Sequence, residues 1–319
     1  MALDAVTGVF AGTVLPVLAI AAVGYALGVV RDVDVEPLNT VTLYVLLPAL
    51  IVHSLLTTPL GGGTALRLFA AIAAFTAVML VVAYGAGRAV GETGPRLSAL
   101  VLAAAFPNVG NFGIPVSEFA FGATGRTTAA LFVAGQQVVL YTLGVYVASR
   151  GSTSARGAAR QVVRLPLIYV VALALLVAHL GLVPPADGTT MTTLELVGNA
   201  SIPVFLVVLG LELEAADPAT AALRTTPAVA LKLLVAPVVG LAIAVAAGFE
   251  VPAVAHTFAV ETAAPAAITP LALLVEFGGS DDEGVSGPGY YSTTVLLTTL
   301  GAVVVVTLLI AALQGGALL

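Results

Sequence analysis

The 319-residue chain is 60% hydrophobic and only 9% charged, with a net charge of −6 and a mean hydropathy of +1.11. An ordinary soluble domain carries roughly 25% charged and 45–50% apolar residues, so water is not the principal solvent and there is no room for a sizeable soluble domain. With no cysteine, disulfides, thiolate nucleophiles and cysteine metal sites are excluded.

A bilayer core about 30 Å thick takes about 20 apolar residues of helix. Apolar runs bounded by Gly, Pro and charge predict ten spans, near 8–30, 38–57, 66–90, 97–122, 127–148, 165–183, 194–211, 226–248, 252–276 and 290–313. Residues 1–4 lack the basic region of a signal peptide, so the first run reads as a retained helix. The second carries a mid-span proline, Pro48, and His53. The fourth contains Pro-Asn-Val-Gly-Asn-Phe-Gly-Ile-Pro at 107–115, too rich in proline and glycine for a regular helix, followed by Glu118. On the fifth, Gln136, Gln137 and Tyr141 form a polar stripe that serves either a ligand or interhelical packing. After a Gly/Ser/Arg segment at 149–164, the seventh run repeats the mid-span proline as Pro203. The eighth holds the single lysine, Lys232, and the ninth is interrupted at Glu261, Thr262, Pro265, Thr269 and Pro270.

Lys and Arg are retained on the cytoplasmic side of short loops. With the amino terminus outside, eight arginines (31, 88, 96, 150, 156, 160, 164 and 224) fall in cytoplasmic connections and two (67 and 126) outside. Both termini are therefore expected outside. The 149–164 linker then separates two five-helix halves, 1–148 and 165–319, inserted in opposite orientations. Matching interruptions in helices 4 and 9 of such inverted repeats point to a midplane binding site.

Unwound backbone inside hydrocarbon must be buried in protein or line an aqueous cavity. There Asn108 and Asn111 offer amide donors and acceptors, and the half-helix beginning near Pro115 turns its N-terminal end, with a positive partial charge, toward the cavity. An anion fits that environment. Crossed breaks would bring Asn108, Asn111, Thr262 and Thr269 together. Proline kinks also occur in membrane helices with no ligand, and Thr262 and Thr269 can bond to their own preceding turn. Among intramembrane ionisable groups, Glu261 is the leading candidate for coupling to H+ or Na+, with Glu118, Lys232 and His53 behind it. No nucleophile loop, His-Glu-x-x-His pair or Gly-x-x-x-x-Gly-Lys phosphate loop occurs, so neither an enzyme nor an ATP-driven pump is expected, and no cofactor, metal or nucleic-acid partner. One lysine beside ten arginines, with acidic loops, fits a halophilic archaeon or another high-GC prokaryote.

At Pro48-Ala49-Leu50, the 108–115 break, the 137–143 stretch with Tyr141-Thr142, Gly210-Leu211-Glu212-Leu213 and Pro265-Ala266-Ala267, the sequence resembles the auxin efflux carrier family, which includes prokaryotic carriers and the plant PIN-type exporters. The resemblance spans essentially the whole chain. It implies an all-α, ten-helix, bile-acid-symporter-like fold in the cell membrane, with a scaffold of helices 1, 2, 6 and 7 and a transport domain of helices 3–5 and 8–10. It further implies elevator-type transport, in the efflux direction, of small organic anions such as auxin-like carboxylates. The resemblance implies substrate contacts at Asn111 or Asn108, Gln137 or Tyr141 and the neighbourhood of Pro265; joined with the residues of the two breaks, the expected substrate-binding set is Asn108, Asn111, Gly113, Pro115, Gln137, Tyr141, Thr262, Pro265 and Thr269. Lipid surrounds such a protein, and a homodimer through the scaffold is expected. A sodium- or proton-coupled cation antiporter of related fold, or a membrane sensor that binds without translocating, are the alternatives.

Overall fold

The structure is a computed structural model that describes residues 2–58, 60–149, 163, 165–215, 223–277, 286–316 and 318–319. The linker arginines 150, 156, 160 and 164 lie outside the described residues. Eleven helices are described: α1 (Asp4–Val30), α2 (Val35–Thr57), α3 (Gly62–Ala89), α4 (Gly94–Ala105), α5 (Val109–Ala148), α6 (Pro166–His179), α7 (Thr189–Glu214), α8 (Thr226–Ala247), α9 (Pro252–Ala263), α10 (Thr269–Phe277) and α11 (Gly287–Gln314). Among the described residues there is no strand, only one isolated bridge between Pro107 and Ala266. Seven helices, α1, α2, α3, α5, α7, α8 and α11, are long and apolar enough to cross a membrane. Large apolar side chains such as Val30, Val81, Leu173, Val245 and Val304 face outward, which costs nothing where the surroundings are hydrocarbon.

The predicted fourth and fifth runs fall on α4 and α5. As one straight rod, the 40 residues of α5 would run about 60 Å, twice the thickness of a bilayer core. Gly122 prevents this: at φ 63°, ψ −149° it leaves the helical region and divides α5 into two legs. A side chain is strained in that conformation. The corner is tightly closed, since a Cβ on Gly125 would strike the Ser117 carbonyl.

Five π-helical turns interrupt the described helices, at Phe10–Val14, Thr42–Leu46, Val109–Gly113, Leu140–Gly144 and Leu231–Val235. Four are followed, two residues on, by a proline: Pro16, Pro48, Pro115 and Pro237. The physical cause is local. A proline has no N–H for the carbonyl four residues back and clashes with it; here those carbonyls belong to Gly12, Tyr44, Asn111 and Leu233, all inside the π turns. Widening the turn relieves the clash. In the turn without a proline, Thr142 Oγ1 bonds back to the carbonyls of Val138 and Val139. The widened turns carry Thr42, Asn111, Tyr141 and Lys232.

Helices α1 and α7 approach closely: a Cβ on Gly24 would strike the Val207 backbone and one on Gly210 the Ala21 backbone. Small residues allow this approach, as in other membrane helix pairs. Helix α7 also packs on α2, and α2 on α6. Helix α3 packs on α4, α5 and α8, α9 on α5 and α8, and α11 on α4.

Candidate functional site

Helix α4 stops at Ala105, and Phe106 is extended (φ −114°, ψ 99°) ahead of Pro107. Helix α5 restarts at Val109 with the Asn108 side chain as its cap: Asn111 N–H donates to Asn108 Oδ1 at 3.2 Å. The second break, after Ala263, meets the first. Asn108 N–H donates to Pro265 O at 2.7 Å and Ala267 N–H to Phe106 O at 2.9 Å, an antiparallel bridge between two unwound segments. Side chains hold three further backbone groups of the junction. Gln136 Nε2 donates to Pro107 O at 2.8 Å, Ala266 N–H donates to Thr298 Oγ1 at 3.1 Å, and the Tyr291 hydroxyl donates to Ala267 O at 2.6 Å. Backbone that would be prohibitive in lipid is thus held by protein.

One face of this junction opens on a cavity of about 480 Å³. Asn108, Asn111, Gln137, Tyr141 and Thr269 of the expected binding residues line it, together with Gln136, Thr42, Asn39 and Glu212. Leu43, Val133, Phe205 and Leu271 form apolar wall. Asn111 Nδ2 donates to Glu212 Oε1 at 3.2 Å, joining the start of α5 to the end of α7. Asn108 Nδ2 and Gln137 Oε1 are buried without partners. Donors and acceptors around a mostly apolar concavity are the ordinary make-up of a small-molecule site.

Gly113, Pro115, Thr262 and Pro265 are buried and lie outside the cavity lining. They belong to its backing. The fully buried Glu261 accepts a hydrogen bond from Ser117 Oγ at 2.6 Å, and its Oε2 has no partner. A Cβ on Gly113 would collide with that carboxylate, so only glycine lets α5 lie against it. Lys232, also fully buried, donates from Nζ to Thr262 O at 3.2 Å and stands 6.0 Å from the centroid of the Phe75 ring. The helix break frees the carbonyl that receives it. Thr262 Oγ1 donates to Ala259 O at 2.8 Å and so faces its own helix rather than the cavity.

Glu118 pairs with Arg126 Nη1 at 3.4 Å, and the same nitrogen donates to Asn199 Oδ1 at 3.0 Å. His53 is buried on α2, away from the cavity. Glu212 is the residue that sequence reasoning passed over as a site. An ionisable group within an apolar helix was its available signal; its partner, 101 residues away, carried none.

The family model described as "Membrane transport protein" matches residues 9–157 and 153–310. An "Uncharacterized transporter" of Methanothermobacter thermautotrophicus is 28% identical over 242 residues, covering 75% of this chain and 79% of the relative. With nearly its whole length matched, and with unwound helices meeting at a polar cavity, the chain belongs to the membrane transport protein family, that of the auxin efflux carriers.

Proposed function

We propose that the protein is a secondary transporter of a small carboxylate-bearing organic solute, bound where the interruptions after α4 and α9 meet. The observation that carries the reading is the cavity at that junction, with the amides of Asn108 and Asn111 on its wall and the Asn108–Pro265 backbone bond behind them. In this reading the chain makes ten spans in two inverted repeats. α4 with the first leg of α5 is one broken span, and α9 with α10 its crossing counterpart. Helices α1, α2, α6 and α7 act as scaffold, the rest move as the transport domain in an elevator cycle, and efflux is the direction. Both termini lie outside, and two copies pair through the scaffold.

A test is uptake of labelled carboxylates into proteoliposomes by the wild type and Asn111→Ala. Removing one amide that contacts a charged ligand costs about 1.5–3 kcal/mol, or roughly 10- to 150-fold in affinity. Transport insensitive to Asn111→Ala would remove the site from consideration.

A second reading, coupling to H+ or Na+ at Glu261 or cation antiport through it, is favoured by one observation: a fully buried carboxylate beside the break with an oxygen that has no partner. Cation flux without any organic solute would support antiport; its absence in Glu261→Gln alone would assign coupling to that residue.

A further inference from the structure

The cavity holds a carboxylate and no cationic side chain. Its described lining includes neither lysine nor arginine, and Glu212, only 7% exposed, is its one charged residue type. A bare anion entering would face Glu212 across a space where like charges oppose each other more strongly than in bulk water. The polar groups nevertheless divide into two sets. Asn108 Nδ2 is buried with no partner, and the Asn111 amide has two N–H groups, one of them given to Glu212 Oε1. These are donors for a carboxylate. The Glu212 carboxylate and the unpartnered Gln137 Oε1 are acceptors. Because Asn111 and Glu212 are in direct contact at 3.2 Å, the ligand groups that satisfy them must be close neighbours. A carboxylate and an ammonium on one carbon meet that requirement.

We propose that the solute is a zwitterion of the α-amino-acid kind with an apolar side chain, its carboxylate on Asn108 and Asn111 and its ammonium on Glu212 and Gln137. The inference rests on the transport reading of this same cavity. Glu212 becomes the specificity-determining residue: it stabilises the ammonium and rejects anions that lack one. Phe205 and Val133 cover the side chain.

The test uses the purified full chain and ligand-induced thermal stabilisation with three matched sets: alanine, propionate and ethylamine; leucine, isocaproate and isoamylamine; phenylalanine, hydrocinnamate and phenethylamine. In at least one set the amino acid should bind about tenfold or more tighter than both relatives, as a single added ion pair requires. Glu212→Gln should erase that preference by strengthening the carboxylate relative, and Glu212→Asp, which keeps the charge but shortens its reach, should weaken it. Absence of any set in which the amino acid wins, or a preference unchanged in both variants, overturns the inference. If carboxylates bind as well as amino acids and are lost in Asn111→Ala, the zwitterion falls while the transport site stands. If carboxylate binding survives Asn111→Ala, the site itself falls.

Discussion

Gly113→Ala tests the packing of the site's backing. The new Cβ would overlap both carboxylate oxygens and the carboxyl carbon of Glu261. That group cannot swing aside freely, since Ser117 holds it at 2.6 Å and it is fully buried. Overpacking in a filled interior costs about 1–3 kcal/mol. Displacing the carboxylate from Ser117 adds about 1–3 kcal/mol for a buried polar group left unpaired. Replacing glycine by alanine in a helix returns about 1 kcal/mol. The net is a loss of roughly 1–5 kcal/mol, read as a lowered unfolding midpoint of the detergent-purified protein. The double variant Gly113→Ala/Glu261→Ala removes the obstruction, so it should be more stable than the sum of its single changes predicts, with a coupling of about 1–3 kcal/mol. A midpoint unchanged in Gly113→Ala, or additive single effects, would refute the contact.

Gly122→Ala should lower stability by about 1–3 kcal/mol in the same assay, because φ 63°, ψ −149° is open only to glycine; an unchanged midpoint would mean that α5 turns elsewhere. Gly210→Val drives a branched side chain into the backbone of Ala21 and Tyr25 and should cost about 3 kcal/mol or more, since backbone does not yield as a side chain does; well-behaved, wild-type-like protein would deny the close approach of α1 and α7. The absence of cysteine makes orientation directly readable. With both termini outside, a membrane-impermeant thiol reagent on intact cells should label Leu182→Cys and spare Val90→Cys, both exposed positions on opposite sides of the predicted topology. The reverse pattern would invert the protein in the membrane.

The sequence was most informative where the determining chemistry is local. The interruption follows from proline, glycine and asparagine within the nine residues 107–115, and the structure confines the unwinding to Phe106–Asn108, with Val109–Gly113 wound as a π turn. The boundary between the fourth and fifth runs was visible as a gap after residue 122, and Gly122 makes the corner. Glu212 was not legible as part of the cavity, because its role depends on Asn111, which only the packing of α7 against the start of α5 brings near. Thr262 was expected beside the asparagines. The phase of α9 ahead of the break turns it instead toward Gly240 and puts its carbonyl within reach of Lys232. Gly113 belongs to the interrupted motif as expected, yet its need for glycine comes from a carboxylate 148 positions later in the chain, Glu261.

The widened turns bear on how such a chain tolerates length change. A π turn holds one residue more than an α turn over the same rise, so each is, in effect, an insertion that the helix has absorbed. Deleting a single residue within Val109–Gly113 would restore ordinary winding, leave the helix beyond it facing as before, and remove the widened turn that carries Asn111. Asn111 would leave the cavity wall while the outline of α5 hardly changed. A one-residue gap in an alignment at this position would therefore separate relatives that share the helix from relatives that share the site.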